Sequence, residues 1–165
     1  VSPSSRFPEH QFVVGGVSWL DKNVYDRYLT GSNVRYVCDR TYELLTHSAA
    51  AVVTSGTATL ETALLGVPEF VCYRTSSLSY AIAKRFAKVK YISLVNLILN
   101  REAVRGLIQQ DMTPENAEAE LRAILPGGTK HERLKADYAE LRRATGESGA
   151  SERTAAEMVR ILKNG

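Results

Sequence analysis

Short apolar runs alternate with stretches of helical spacing from Gln11 to Asn96, and that rhythm sets the predicted order of elements. Phe12-Val13-Val14 predicts a buried strand ending at Gly15-Gly16. Asp21 to Leu29 carries helical spacing, with Asp21 placed to cap the first N–H groups. Val34 to Cys38 predicts a second strand, and Thr41 to Thr46 a short helix. Ala50 to Thr54 predicts a third strand, followed by a helix over Thr57 to Leu65 that Gly66 closes. Glu69 to Tyr73 reads as a fourth strand, Leu78 to Ala87 as a helix, and Lys90 to Ser93 as a short fifth strand. None of these strands alternates strictly between apolar and polar, so each expects cover on both faces, as in a parallel sheet. Single helices between the strands, in right-handed crossovers, wind such a sheet into a Rossmann-like α/β unit with helices on both faces.

Beyond Asn96 the pattern predicts helices only, an all-helical C-terminal tail. Arg101 to Gln110 is one, and Pro114 to Ile124 another, with Thr113 as cap and Pro114 at its first position. Pro126-Gly127-Gly128 breaks the chain before a charged helix over Lys130 to Arg143, which sets Leu134, Tyr138 and Leu141 on one face. After a Gly- and Ser-rich turn over Thr145 to Ala150, Ser151 is placed to cap a last helix reaching Lys163.

Composition narrows this picture. The 165 residues, 44% hydrophobic, suffice for one domain spanning 1–165 and are too few for two large ones. Twenty-one Lys and Arg against eighteen Asp and Glu leave a net charge of +3, which demands no nucleic-acid partner but suits a surface that meets phosphate or anionic lipid. Cys38 and Cys72 lack metal or redox spacing and read as small strand residues in a reducing compartment. No apolar run reaches the roughly 20 residues of a membrane span. Val1 to Arg6 has no leader pattern and no initiator Met, so the expectation is a fragment or processed piece of a cytoplasmic protein.

The candidate chemistry concentrates in Thr54-Ser55-Gly56-Thr57-Ala58-Thr59-Leu60-Glu61, where the third strand passes into its helix. Ligands bind at the carboxyl ends of strands in open parallel sheets. Small residues let backbone N–H groups approach an anion, and the helix directs its positive end at it. Hydroxyls on Ser55 and Thr57 add donors, and a diphosphate is the natural guest. Glu61, a turn further on, can accept from two vicinal hydroxyls of a ribose. The plainer reading is a capped strand-to-helix turn with Glu61 solvated, and the residues alone leave both open. Asn96, between Val95 and Leu97, either meets substrate or locks a turn, because a buried amide must be hydrogen-bonded. Lys84, Arg85, Lys88 and Lys90 beside Ile82 and Phe86 suit either a helix resting on an anionic membrane or a solvated face. Lys84, Arg85 or Arg74 can alternatively meet substrate phosphate. His10, His47 and His131 show no metal-ligand spacing, no Ser–His–Asp set can be assembled, and His47 reads as the end of a helix.

Ser55-Gly56-Thr57-Ala58-Thr59-Leu60-Glu61-Thr62-Ala63-Leu64, Cys72-Tyr73-Arg74, Ile82-Ala83-Lys84-Arg85 and Tyr91-Ile92-Ser93-Leu94-Val95-Asn96-Leu97 resemble, in order and spacing, the lipid-A-disaccharide synthases. Leu107-Ile108-Gln109 and Gly149-Ala150-Ser151 are similar to that family as well, and the resemblance runs from about Phe7 to the C-terminus. It implies the C-terminal half of a GT-B glycosyltransferase, in which two Rossmann-like domains enclose the active site. It implies an inverting transfer without metal or cofactor. UDP-2,3-diacylglucosamine would give its sugar to 2,3-diacylglucosamine 1-phosphate, yielding lipid A disaccharide 1-phosphate and UDP. The implied partners are those two lipids, the protein's own N-terminal domain and the inner face of the inner membrane, met peripherally from the cytoplasm. By the same resemblance Ser55, Gly56, Thr57 and Ala58 match the phosphate-side loop, and Glu61 the ribose grip. Asn96 matches the family's Asn and Gln109 its Gln on the following helix, as the candidate catalytic pair.

Three departures accompany the resemblance. The Pro-Gly-Ser-Arg segment that precedes this region in full-length members is absent, and Ser4-Ser5-Arg6 sits close to the first strand. The N-terminal domain with its acidic candidate base is not in the chain. Val95 replaces a frequent Pro, and Gly106 stands where Glu is usual, weakening the predicted helix there. The isolated chain is therefore expected to bind UDP weakly or not at all. A UDP-sugar 2-epimerase-like domain shares the fold and a similar Ser/Gly loop, and a non-catalytic interaction domain is the other alternative; an upstream GT-B domain in the parent reading frame would discriminate.

Overall fold

A computed structural model describes residues 6–76, 91–146 and 149–164. Strand β1 (Val13–Gly16) pairs in parallel with β2 (Arg35–Cys38), with Val13 opposite Arg35. Helix α1 (Lys22–Leu29) joins them, and the Asp21 side chain accepts from the Asn23 N–H at 2.9 Å, the cap that the sequence predicts. Helix α2 (Thr41–Thr46) follows β2, and His47 terminates it, its Nδ1 2.8 Å from the Glu43 carbonyl.

A second parallel sheet holds β3 (Ala51–Thr54), β4 (Glu69–Tyr73) and β5 (Gly106–Ile108), in that spatial order. Parallel strands flanked by helices are what the apolar runs predict, although they form two small sheets. Helix α3 (Thr57–Leu64) connects β3 to β4, and Gly66 turns its end at φ 80°. Cys38 and Cys72 are free and half-buried in their strands.

The C-terminal half departs from expectation in two places. Residues 91–93 bend rather than pair, so the predicted fifth strand is not found among them, and Lys90 lies outside the described residues. The predicted helix over Arg101 to Gln110 is a loop, then β5, then a 3-10 turn over Gln109–Asp111. Helix α4 (Leu94–Leu99) precedes them and ends at Asn100, in the left-handed conformation at φ 51°. The reason is tertiary. Val104 and Leu107 are fully buried beside Phe70 and Val71, and β5 gains a ladder on β4 that a helix would forgo. A short apolar run containing a glycine fits either element by periodicity alone.

Helix α5 (Pro114–Ile124) starts as predicted, with Thr113 Oγ1 accepting from the Asn116 N–H at 3.2 Å. Helix α6 (His131–Thr145) buries Leu134, Tyr138 and Leu141, the stripe that its spacing requires. Helix α7 (Ala150–Asn164) begins one residue before the predicted cap Ser151. The core joins Ala63 of α3, Phe70 and Val71 of β4, Val95 and Leu99 of α4, Leu107, Ile124 and the α6 stripe. Each large side chain buried there contributes about 1.5–3 kcal/mol. Arg142 of α6 donates to the Leu64 carbonyl at 2.6 Å, so the end of α3 is tied to the helix that roofs it.

Candidate functional site

The register of β3 on β4 sets Thr54 opposite Cys72, so the two chains leave the sheet side by side, one through Ser55-Gly56 and the other through Arg74-Thr75. Gly56 adopts φ 147°, ψ −163°, a backbone conformation that side chains resist, although a Cβ there would meet open space. The constraint is therefore conformational. It lets the chain turn from strand into helix within one residue. Thr59 caps the turn, its hydroxyl donating to the Gly56 carbonyl at 2.8 Å and its N–H at 3.2 Å.

The N–H groups of Gly56, Thr57 and Ala58 meet no acceptor among the described residues, and all three residues are exposed. An open helix start of this kind carries partial positive charge and donors ready for an anion. Ser55 differs from expectation. Its hydroxyl donates to the Ile92 carbonyl at 2.8 Å, which binds the loop to the segment before α4 and occupies the donor that the sequence offers to a phosphate. Thr57 keeps its hydroxyl exposed. Glu61 lies one turn along α3, half-buried, and its carboxylate has no partner among the described residues.

Asn96 and Gln109 are both buried, and both spend their amides on main chain. Asn96 Oδ1 accepts from the N–H groups of Ala103 and Val104 at 2.9 and 2.8 Å, while its Nδ2 donates to the Val104 carbonyl at 2.7 Å. Of its two readings, the geometry supplies the locked turn. Gln109 is not on a helix in the predicted sense: it follows β5 directly, at φ 51°. Its Oε1 accepts from the Thr75 N–H and its Nε2 donates to the Thr75 carbonyl, each at 3.1 Å. No feature of the sequence discloses this clamp, because it exists only once β5 lies beside β4.

Two buried polar side chains lack partners among the described residues, one beside this loop and one at the opposite end of the sheet. Ser93 Oγ, one residue past the carbonyl that holds Ser55, is without a hydrogen bond among the described residues. Glu69, fully buried at the start of β4, has neither carboxylate oxygen paired, and burial pushes its carboxyl up to about 9. An acid between Pro68 and Phe70 in a buried strand is a signal that sequence reasoning passed over. Burial also pushes the Cys72 thiol up.

The charged side chains divide sharply. Arg101 binds Asp137 and Glu140, each at 2.7 Å, and Lys130 binds Glu120 at 2.6 Å. Arg6 is committed to Glu118. Arg74 is exposed and has no carboxylate partner among the described residues. Lys84, Arg85 and the predicted basic helix lie outside the described residues. Among those described, no three His, Cys, Asp or Glu side chains cluster as metal ligands, and no helix is long and apolar enough to cross a membrane.

Comparison with known proteins gives these features a context. The family model for lipid-A-disaccharide synthetase matches residues 4–161. A lipid-A-disaccharide synthase of Anaeromyxobacter dehalogenans (strain 2CP-C) is 38% identical over 159 residues, covering 94% of this chain and 42% of that protein. The Myxococcus xanthus synthase is 36% identical over 165 residues, covering 98% and 43%. That of Syntrophus aciditrophicus is 40% identical over 130 residues, covering 79% and 34%. The chain thus spans about two fifths of the length of the first of these relatives. With a match running nearly end to end, it belongs to the lipid-A-disaccharide synthetase family.

Proposed function

We propose that this chain is the UDP-binding part of a lipid-A-disaccharide synthase. The full protein moves 2,3-diacylglucosamine from UDP-2,3-diacylglucosamine to 2,3-diacylglucosamine 1-phosphate, without a metal. The observation that carries the reading is the open start of α3, with the Gly56, Thr57 and Ala58 N–H groups meeting no acceptor among the described residues, beside the carboxyl ends of two parallel strands. Charge builds on the diphosphate as its bond to the sugar breaks. Donors already fixed in place stabilise that charge without reorganising, which is how such a terminus assists departure of UDP. Glu61, one turn along the same helix and without a partner among the described residues, accepts from the ribose hydroxyls. Asn96 and Gln109 support the site through the loops that they lock. The general base lies in the N-terminal domain, and the lipid substrates bring the protein to the inner face of the inner membrane from the cytoplasm.

The test is a UDP titration of the amide-labelled full-length protein. Resonances of Gly56, Thr57 and Ala58 are expected to shift first, and saturable binding that leaves those three unmoved would remove the site from this loop.

A further inference from the structure

Two observations meet at one turn: Gln109, buried with both ends of its amide on Thr75, and Arg74, exposed and without a carboxylate partner among the described residues. The β4–β5 ladder ends where Tyr73 faces Ile108. Just beyond it, the Gln109 side chain gives Thr75 one acceptor and one donor, the two contacts that a further strand residue would have supplied. Arg74 is thereby held on both sides, by the Tyr73 rung before it and the Thr75 clamp after it.

A purely packing role at position 109 would be met by an apolar side chain. A buried amide at a left-handed φ is costly in two ways and persists where its bonds are needed. What they fix is the main chain under Arg74. The strand register brings the main chain of that turn next to Ser55-Gly56, so a cationic residue with no carboxylate partner among the described residues is carried at the same sheet edge as the positive end of α3. Two positive features side by side are unfavourable until an anion lies between them. By contrast Arg101, Arg105 and Arg122 each have a carboxylate within reach.

We infer that Gln109 is a positioning residue: it holds the turn after β4 so that Arg74 reaches the diphosphate gathered at the start of α3. This rests on the nucleotide reading above and adds a cation and its support to it. Arg74 supplies the fork of donors that suits phosphate oxygens. Gln109 touches no ligand and acts through the Thr75 main chain.

The experiment is calorimetric titration of the full-length protein with UDP and, separately, with uridine. The variants are Arg74→Ala, Gln109→Met and the two combined, with Arg74→Lys as partial rescue. Arg74→Ala is expected to lower UDP affinity roughly tenfold, the size of one charge-assisted contact, and to leave uridine binding as it was. Gln109→Met should reproduce that loss for UDP alone, and the combined variant should lose no more than either single one. Additive losses, or an equal loss for uridine, would show Gln109 to act on the fold at large. Arg74 is exposed, so its variant keeps the core intact and decides the matter even where Gln109→Met folds poorly. Wild-type UDP affinity in Arg74→Ala overturns this inference alone, whereas a parent protein that binds no UDP overturns the nucleotide reading and this role together.

Discussion

The two parallel sheets are built on the same local rules and held by different forces. In the β3–β4–β5 unit, Phe70, Val71 and Leu107 are essentially removed from water, and α3, α4, α5 and α6 each bury side chains around them. In the β1–β2 unit, neither α1 nor α2 buries a residue, and Trp19, Tyr28 and Tyr42 are exposed. Polar contacts over short range serve in their place. The Ser18 N–H donates to Asp39 Oδ1 at 3.0 Å, Lys22 binds Asp26 at 2.7 Å, and the Tyr25 ring packs tilted against Tyr36 with ring centres 4.8 Å apart. Exposed ion pairs of this kind contribute from nothing to about 1 kcal/mol each, whereas one buried phenylalanine is worth several. The candidate site occupies the well-buried unit, where the main chain under an anion can be held still.

Truncation should expose that difference most sharply. Phe70→Ala removes a fully buried ring from the centre of β4 and is expected to cost about 3–5 kcal/mol in denaturant unfolding. Tyr28→Ala removes a ring of similar size that is 76% exposed, and should stay within about 0.5 kcal/mol. Comparable losses at the two positions would mean that Tyr28 is covered in solution and that the contrast between the sheets is not one of burial.

Glu69 puts a weak point inside the stronger unit. Its carboxyl is pushed from 4.5 up to about 9 by burial, so the folded protein holds a proton that the unfolded chain releases. Folding takes up that proton between these two values. Stability is therefore greatest below the unfolded value, falls as pH rises, and levels off above the folded one. Between pH 5 and pH 8 the loss is on the order of 4 kcal/mol. Glu69→Gln keeps the shape without the charge, and its stability measured by urea unfolding should be flatter across this range. Parallel profiles for the two proteins would mean that Glu69 is ionised and hydrated in the fold.

Much of this was legible in the sequence, and the gaps have a common origin. Element bounds from β1 through β4, and the start of α5, follow from continuous apolar runs and from cues such as Asp21, Gly66 and the Thr113-Pro114 pair, all of which act within a few residues. The strand-to-helix turn at Gly56 was legible for the same reason, since Gly56 and the helix after it are neighbours in the chain. What escaped depends on distant residues. Gly106-Leu107-Ile108 becomes a strand because Val71, Cys72 and Tyr73 offer it a ladder, and Gln109 becomes a clamp because Thr75 then lies opposite. Ser55 spends its hydroxyl on Ile92, 37 residues away. Local chemistry was readable; pairing across the fold was not.

A change smaller than the loss at Phe70 or Glu69 asks whether the two units hold together at all. Asp21 caps α1 through a single bond to the Asn23 N–H, and Asp21→Ala should remove about 1 kcal/mol from that helix. Since α1 buries nothing, this is a large share of what keeps it formed. The amides of α1 open locally, so their hydrogen exchange should accelerate roughly fivefold, the factor that such a loss represents. Amides of Phe70 and Val71 exchange only when the core itself opens. If the sheets behave as separate cooperative units, those rates stay as they were. Acceleration by the same factor at both places would mean that the β1–β2 pair melts with the core, and that the short polar contacts around it report on one global equilibrium.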